Sequence, residues 1–378
     1  MRWLFPSEYA IEENPARKAV LSRIDAWWQA FLDNIDQLSV NPEFDVPAFM
    51  REHLEAIDHR LCWDVDTSDS QNRTLAITPE EAVNLRPLCD AIIARAPENT
   101  GWKFFHGHQA HDVDAAHAMV EAMTGSEVGR CKINTSVSEL NTIDLHFYLP
   151  DAPAAAIATE QAHILAETLL GEEAFARWVG NIHVEEQEED HWVELDILKR
   201  HVFADVAGIV SSLPERALFE TVEELQWSLW RLSPEKKDDY SRHQDLVMGS
   251  SALDAMAGCA QLGRPFDSQR YSRCHEVFVY LKIDGVGQSM KERMASRKII
   301  EKALEVVVSE GLGVVVGAGT GWRYSYLDIA LADVPNGINR IKEIAKESKV
   351  NGRSWILFHD QHLGDEWIGI YKDTPPPP

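Results

Sequence analysis

The apolar positions of the chain repeat with the period of an α-helix near the N-terminus and with the period of a β-strand in several later segments. The N-terminal apolar residues at helical spacing are Val20, Ile24, Trp27, Trp28, Phe31 and Ile35. A second amphipathic pattern covers residues 47–57. Together they predict a helical segment over residues 1–60.

From residue 61 the pattern changes to short strands that alternate with helices. Residues 61–65 and 74–77 predict a hairpin, and 102–108 and 143–149 predict single strands. Thr78, with Pro79 and Glu81 after it, predicts the start of a helix. We therefore expect one α/β sheet domain over residues 61–198.

Residues 276–373 repeat this order of elements. Residues 142–145, before a predicted helix, match residues 326–329, which also precede one. A second match relates residues 182–195 to 356–370 in the same order. Such self-similarity indicates an internal duplication. The fold class expected is α+β, with tandem ferredoxin-like (β-α-β-β-α-β) antiparallel-sheet modules.

The segment between the two repeats, residues 199–275, has the polar stretches and capping-box pattern of a helical connector. Whether it forms a domain of its own stays open at this point. Residues 374–378 contain four prolines and predict an extended tail.

The glycine-rich run at residues 311–321 has two interpretations. A phosphate-binding loop needs a following helix, and the strand-like alternation after Gly321 does not provide one. The run also lacks the Gly-Lys-Ser/Thr ending of a P-loop. It therefore favours a hairpin turn.

The charge of the chain is strongly negative and unevenly distributed. The 378 residues carry a formal net charge of −25, of which only −1 lies from Glu276 onward. Nucleic acid and anionic membranes bind through basic surfaces, so both are poor partners. A basic protein partner or a homodimer fits better, although the acidity is also explained by solubility alone.

Neither a membrane span nor a signal peptide is expected, because no apolar run approaches about 20 residues and the N-terminus becomes polar early. The five cysteines contain no Cys-x-x-Cys pair, which argues against a disulfide framework. These features predict a cytoplasmic protein.

One cluster of residues suggests metal chemistry. His106 and His108 would share a face of the predicted strand, where two imidazoles can occupy two corners of a zinc tetrahedron. With His111 and Asp112, the run resembles the His-x-His-x-Asp-His signature of the metallo-β-lactamase superfamily, with Ala110 in the place of the acidic ligand. A fourth ligand would come from His146 or His183. The alternative is structural: ring residues on a sheet, with Asp112 as the N-cap of the next helix.

The twelve tryptophans lie mostly on apolar faces and are expected in the core. Trp322 and Tyr324, beside the glycine run, are the candidates for a partner-binding surface, because aromatic residues are enriched among interface hot spots.

Two short segments carry a family resemblance. They are residues 95–105 and the closing Glu366-Trp367-Ile368-Gly369-Ile370-Tyr371. They resemble bacterial proteins of unknown function built from ferredoxin-like modules, some of which are linked to the acidic ribonuclease E inhibitor family. The resemblance implies a cytosolic regulatory protein that acts by binding, and it carries over no functional residue.

Two hypotheses of function follow. The first is a non-catalytic binding or regulatory protein without a cofactor, which acts through protein–protein contacts. The second is a metal-dependent hydrolase that holds zinc with His106, His108 and His111.

Overall fold

The computed structural model describes residues 1–7, 9–41, 43–67, 72–188, 191–234 and 242–378. The chain forms two compact units. The N-terminal unit contains Met1, residues 10–138 and residues 142–208, and the C-terminal unit contains residues 2–9, 139–141 and 209–378. Both units contain helices and strands, in agreement with the predicted α+β class.

The N-terminal unit contains most of the helices and two small sheets. Its elements in chain order are α1 (Glu13–Asp33), α2 (Ile35–Val40), α3 (Val46–His53), β1 (Cys62–Asp66), β2 (Arg73–Thr78), α4 (Arg86–Ile93), β3 (Trp102–His106), α5 (Val113–Thr124), β4 (Lys132–Val137), β5 (Ile143–Tyr148), α6 (Ala155–Leu170), α7 (Glu172–Trp178), β6 (Val179–Glu185), β7 (Val193–Glu194) and α8 (Leu198–Ser212), whose last residues belong to the C-terminal unit.

The two sheets of the N-terminal unit differ in strand direction. In the first, β2 pairs antiparallel with β1 and parallel with β3. The second has the order β6-β5-β4-β7, and its β5 and β6 are parallel neighbours. The predicted N-terminal helices are observed, and Trp28 and Phe31 of α1 pack edge-on against Phe104 of β3. Residues 61–198 contain both of these sheets, and one α/β sheet domain over this range stays a prediction.

The helix predicted to start at Thr78 begins later, at Arg86, after a short 3-10 turn. Thr78 is the last residue of β2 and its hydroxyl donates a hydrogen bond to the buried carboxylate of Glu172. The N–H of Glu80 then donates to the Thr78 hydroxyl at 2.9 Å, and Glu80 has a positive φ of 44°. The Thr78 side chain, which the sequence predicts to cap a helix, therefore stabilises a turn after β2 instead.

The C-terminal unit is built on one seven-stranded sheet. Its elements in chain order are β8 (Ser228–Arg231), α9 (Arg242–Asp245), β9 (Leu246–Ser251), α10 (Asp254–Leu262), β10 (Val277–Asp284), α11 (Met290–Ala303), α12 (Glu305–Ser309), β11 (Gly313–Gly321), β12 (Tyr324–Leu331), α13 (Val334–Glu347), β13 (Trp355–Phe358) and β14 (Trp367–Gly369). The strand order is β14-β13-β10-β12-β11-β9-β8, and all neighbours are antiparallel.

One face of this sheet forms the main core of the unit with α11, α12 and α13. Alternate strand residues, such as Leu281 and Ile329, pack there against helix residues such as Ile300 and Ile341. Because side chains alternate along a strand, Tyr280 and Asp328 belong to the opposite face. That opposite face carries the candidate site.

The matched segments of the two predicted repeats pair differently. In the N-terminal unit, β5 and β6 are direct neighbours. In the C-terminal unit, β10 lies between β12 and β13. The tandem ferredoxin-like duplication is therefore not confirmed and stays a prediction.

The connector over residues 199–275 contains helices, as predicted, but also β8 and β9. These two strands extend the sheet beyond β11. Most of the connector, from Ile209 onward, belongs to the C-terminal unit.

The glycine run predicted as a hairpin turn instead contains the whole of β11, and the turn is the following Trp322-Arg323. A Cβ at Gly317 would overlap the carboxylate of Asp328, and one at Gly321 would overlap that of Asp245. Glycine at these positions therefore gives buried acidic side chains room beside the strand.

Candidate functional site

The four residues of the sequence-predicted metal cluster lie at the end of β3 and the start of α5. The strand ends at His106, and Gly107 has a φ of 93°. The alternation that would place His106 and His108 on one face therefore does not continue to His108. His106 Nδ1 lies 2.8 Å from a carboxylate oxygen of Asp90, and His108 Nε2 lies 3.7 Å from one of Glu80.

His111 is exposed, and Asp112 accepts a hydrogen bond from Ala115 N at 2.9 Å as the N-cap of α5. The expectation of an N-cap is thus confirmed. In the described part of the chain, His106, His108, His111 and Asp112 belong to no group of three or more ligand atoms that converge on one point. Their binding of zinc stays a prediction.

The two histidines considered as a fourth ligand lie on the second sheet of the N-terminal unit. His146 and His183 are cross-strand partners whose rings stack with centroids 4.9 Å apart. The ring nitrogens of His146 lie 3.1 Å from Ser136 Oγ and 3.0 Å from Glu185 Oε1.

A buried ion pair lies on the sheet face opposite α11–α13 in the C-terminal unit. Arg242 contacts both carboxylate oxygens of Asp328, at 2.5 and 2.7 Å. His359, which directly follows β13, places Nε2 3.1 Å from Asp328 and 3.1 Å from Arg242. The Arg242 guanidinium also lies 4.7 Å from the ring centroid of Tyr280.

Burial and charge determine the ionisation of this group. Burial acts to raise the pKa of Asp328, but Arg242 and His359 outweigh it and hold that pKa below its ordinary value. Burial and the charge of Arg242 lower the pKa of His359, although Asp328 opposes the shift. At neutral pH the site therefore holds an arginine–aspartate ion pair and a neutral imidazole.

A groove of about 290 Å³ opens beside His359. Its lining residues are Met256, Cys259, Ala260, Gly263, Arg264, Pro265, Phe266, His359 and Gln361. A second cavity of about 90 Å³, lined by residues of α10, β8 and β9, shares Met256, Ala260 and His359 with it. Arg242 and Asp328 line this second cavity. The site thus combines apolar walls with a few convergent polar groups, as ligand-binding sites do.

Three further side chains in the same region form the one group in the described residues that could hold a metal ion. One ligand atom each from Asp267, Asp360 and His362 lies within 4.8 Å of the other two. Both aspartates are buried. Their neighbours Phe266 and Gln361 line the groove, which places this group next to it.

Local hydrogen bonds hold the carboxylate of Asp360 in place. Ser268 donates to it from its backbone N–H at 2.7 Å and from its hydroxyl at 2.5 Å. Asp267 caps the 3-10 turn that begins at Ser268 and accepts from Gln269 N at 2.9 Å. Burial raises the pKa of the Asp360 carboxyl against these Ser268 hydrogen bonds, and the nearby charge of Asp267 raises it further.

Our sequence-based interpretation missed the segment His359-Asp360-Gln361-His362. Its signal was available, since three residues able to ligate a metal, two histidines and one aspartate, follow directly on the apolar strand β13. The partners Asp267 and Arg242 could not be found in this way, because they lie far away in the sequence.

The two candidate partner-binding residues have different environments. Trp322 is 36% exposed, and its indole N–H donates to Pro234 O at 3.1 Å. Tyr324 is fully buried in a cluster with Leu246, Tyr326 and Trp355. Of the two, only Trp322 can offer surface to a partner.

Comparison with protein families, curated proteins and solved structures finds no match for this chain. In the part of the chain that the structure describes, no helix combines the length and the apolar character needed to cross a membrane.

Proposed function

We propose that the C-terminal unit binds a divalent metal ion through Asp267, Asp360 and His362. The observation that carries this proposal is the convergence of their ligand atoms within 4.8 Å. Two carboxylates and one imidazole suit Mn²⁺, Fe²⁺ or Zn²⁺ better than the all-oxygen preference of Ca²⁺ or Mg²⁺.

Electrostatics supports a cation at this position. Two buried carboxylates side by side repel each other, and either a proton or a bound cation relieves the repulsion. Burial raises the pKa of the Asp360 carboxyl, and the charge of Asp267 raises it further. Because a metal ion competes with protons for these ligands, its affinity should fall as the pH is lowered.

The number of protein ligands suggests a reaction class. Three protein ligands leave a coordination position for water, which is the arrangement of catalytic rather than structural zinc sites. A metal lowers the pKa of its bound water and so generates a nucleophile near neutral pH. Hydrolysis is therefore the reaction that we propose for this site, with Asp267, Asp360 and His362 as the metal ligands in place of His106, His108 and His111.

The test is metal content together with titration by Mn²⁺ and Zn²⁺, measured on untagged protein. We expect about one equivalent bound by the wild type and a loss of binding in the Asp360→Asn/His362→Ala variant. The matched control is His106→Ala/His108→Ala, which should keep the metal.

The two double variants also distinguish the two candidate metal sites. Loss of metal only in the His106→Ala/His108→Ala variant would move the site to the end of β3 and overturn the assignment to Asp267, Asp360 and His362. Less than about a tenth of an equivalent in wild type, even after incubation with Zn²⁺, would exclude both sites. The non-catalytic binding protein, supported by the acidic charge and the exposed Trp322, would then be the better proposal.

A further inference from the structure

We propose that strand β8 pairs with β8 of a second copy of this chain, antiparallel and about a twofold axis at Leu229. The pairing joins the seven-stranded sheets of two C-terminal units edge to edge. No ligand of the proposed metal site belongs to β8, so this inference goes beyond the proposed function and does not depend on it.

The two edges of the seven-stranded sheet differ in what covers them. At the β14 edge, the Arg2 guanidinium donates a hydrogen bond to Trp367 O at 3.2 Å, and the N–H of Phe5 donates to the Glu366 carboxylate at 3.0 Å. At the other edge, and in the described part of the chain, β8 pairs with β9 alone. An uncovered edge strand is a template for pairing with another strand.

The backbone groups of β8 that point away from β9 belong to Leu229 and Arg231. Leu232 donates its N–H to Val247 O at 2.8 Å, and the residues that bond across an antiparallel ladder alternate along the strand. Trp230 therefore bonds to β9, and the N–H and C=O groups of its two neighbours face outward. These outward groups are the ones that a further strand needs.

The side chains on one face of β8 are exposed. Leu229 is 86% exposed, which is unusual for an apolar side chain of a strand. Trp227 and Arg231 are exposed too, and they share the face of Leu229 because side chains alternate along a strand. Among the described residues, Arg231 has no ion-pair partner. The opposite face is occupied, since Trp230 packs against the cluster that contains Tyr326.

The order of these side chains is self-complementary in one register. With the twofold axis at Leu229, the two copies of this leucine lie opposite each other, and Trp227 of each copy lies opposite Arg231 of the other. A guanidinium over an indole ring is a favourable contact, and cross-strand pairs of this kind stabilise a sheet. A shift by two residues would set Arg231 against Leu229 or Leu225 and lose both kinds of pair.

The small size of the interface and the net charge determine the expected affinity. One short strand buries less than the roughly 1,200 Å² of a standard interface, so we expect a Kd of about 10–100 µM. Each copy carries a net charge of −25, so the two copies repel each other. Salt screens this repulsion, and the dimer should therefore become tighter when NaCl is raised to about 1 M.

Sedimentation equilibrium of the full chain at increasing concentration measures this Kd. Leu229→Lys should weaken the dimer at least about tenfold, because two like charges would meet at the twofold axis and lysine protects edge strands from pairing. The matched control is Ile299→Lys on α11, which changes the charge equally at a side chain that is 68% exposed. This control should leave the Kd unchanged.

Cysteine substitutions test the register. Residues that exchange hydrogen bonds across an antiparallel pair have Cα atoms about 5.5 Å apart, which a disulfide can span. Leu229→Cys should therefore cross-link two copies under mild oxidation. Arg231→Cys should not, because its counterpart lies opposite Trp227, roughly 14 Å away. Each variant adds one cysteine, so the native cysteines contribute equally to both.

Three results would overturn the proposal: a wild type that stays monomeric at high concentration and high salt, equal weakening by Leu229→Lys and Ile299→Lys, or equal cross-linking of the two cysteine variants. A monomeric wild type would leave a strand of a different protein as the occupant to test. The metal content of the same samples is measured separately, so failure of the dimer and failure of the metal site are distinguished.

Discussion

Two histidines of this chain show how burial decides the effect of a neighbouring carboxylate. His106 is half exposed, and its hydrogen bond to Asp90 raises its pKa. His359 also contacts a carboxylate, Asp328, but burial and Arg242 lower its pKa. Both residues are histidines beside an aspartate, so the opposite directions of their pKa shifts come from the burial of His359 and from the positive charge of Arg242 next to it.

At the residue scale, we expect His359→Gln and His106→Gln to change the pH dependence of stability in opposite directions. The folded pKa of His359 lies below the ordinary 6.5, so the unfolded chain takes up more protons as the pH falls through 6.5 and below. Wild type should therefore lose stability relative to His359→Gln at low pH. His106 stabilises the fold below its ordinary pKa, and this stabilisation is lost as the pH rises through its raised value.

The measurement is the free energy of unfolding in urea at several pH values between 5 and 8. Arg242, Asp328 and Asp360 also face His359, and all three are present in wild type and variant, so the comparison isolates the imidazole. If the difference in unfolding free energy between wild type and each variant did not change with pH, the result would contradict the ionisation assigned to the two histidines.

At the scale of elements, some strands can be predicted from the local sequence pattern, whereas others form only through pairing with distant segments. The alternation of Val279, Leu281 and Ile283 is enough to predict β10. Strand β8 carries no comparable pattern, and it exists through its hydrogen bonds with β9, which in turn pairs with β11. The glycines of β11 have a local pattern that predicts the wrong structure. The pattern is typical of a turn, but the residues form a strand in which side chains of neighbouring segments leave no room for a Cβ atom.

The start of α11 allows a test of a purely local contribution. Ser289 is its N-cap and forms a capping box with Glu292, in which each side chain bonds the other residue's backbone N–H. Replacement of Ser289 by Ala should lower the free energy of unfolding by about 1 kcal/mol. Ser289→Asp should keep most of this stabilisation, because aspartate also caps helices.

Urea unfolding at pH 7 measures this cost, with Ser309→Ala as the matched control. The exposed Ser309 hydroxyl donates a hydrogen bond to Val306 O within α12, so its removal should change stability by less than about 0.5 kcal/mol. Equal effects of the two alanine variants would mean that the capping box does not stabilise α11.

At the scale of the whole molecule, the negative charge is concentrated in one part of the chain. Of the 61 acidic residues, 47 precede Glu276, against 23 of the 36 basic residues. Self-repulsion of like charges destabilises a compact state, and salt screens it. Residues 276–378 are nearly neutral, so this repulsion is weak among them.

We therefore expect salt to stabilise the N-terminal unit more than the sheet of the C-terminal unit. A change from about 0.01 M to about 1 M NaCl shortens the Debye length from roughly 30 Å to roughly 3 Å. Hydrogen exchange should slow more for amides of β5 and β6 than for those of β10 and β12. An equal change in both units would show that local charge density does not control their stability.

The sequence by itself determined the α+β class, the N-terminal helices, the N-cap at Asp112 and the acidic character of the chain. Each of these depends on composition or on residues within a few positions of one another, so local periodicity is sufficient. Only the tertiary structure decided which side chains converge. Arg242 and Asp328 are 86 positions apart, and Ser268 and Asp360 are 92 apart. Strand pairing and burial bring such residues together, and no local pattern encodes either, so the sequence alone indicated only the local cluster of His106, His108 and His111.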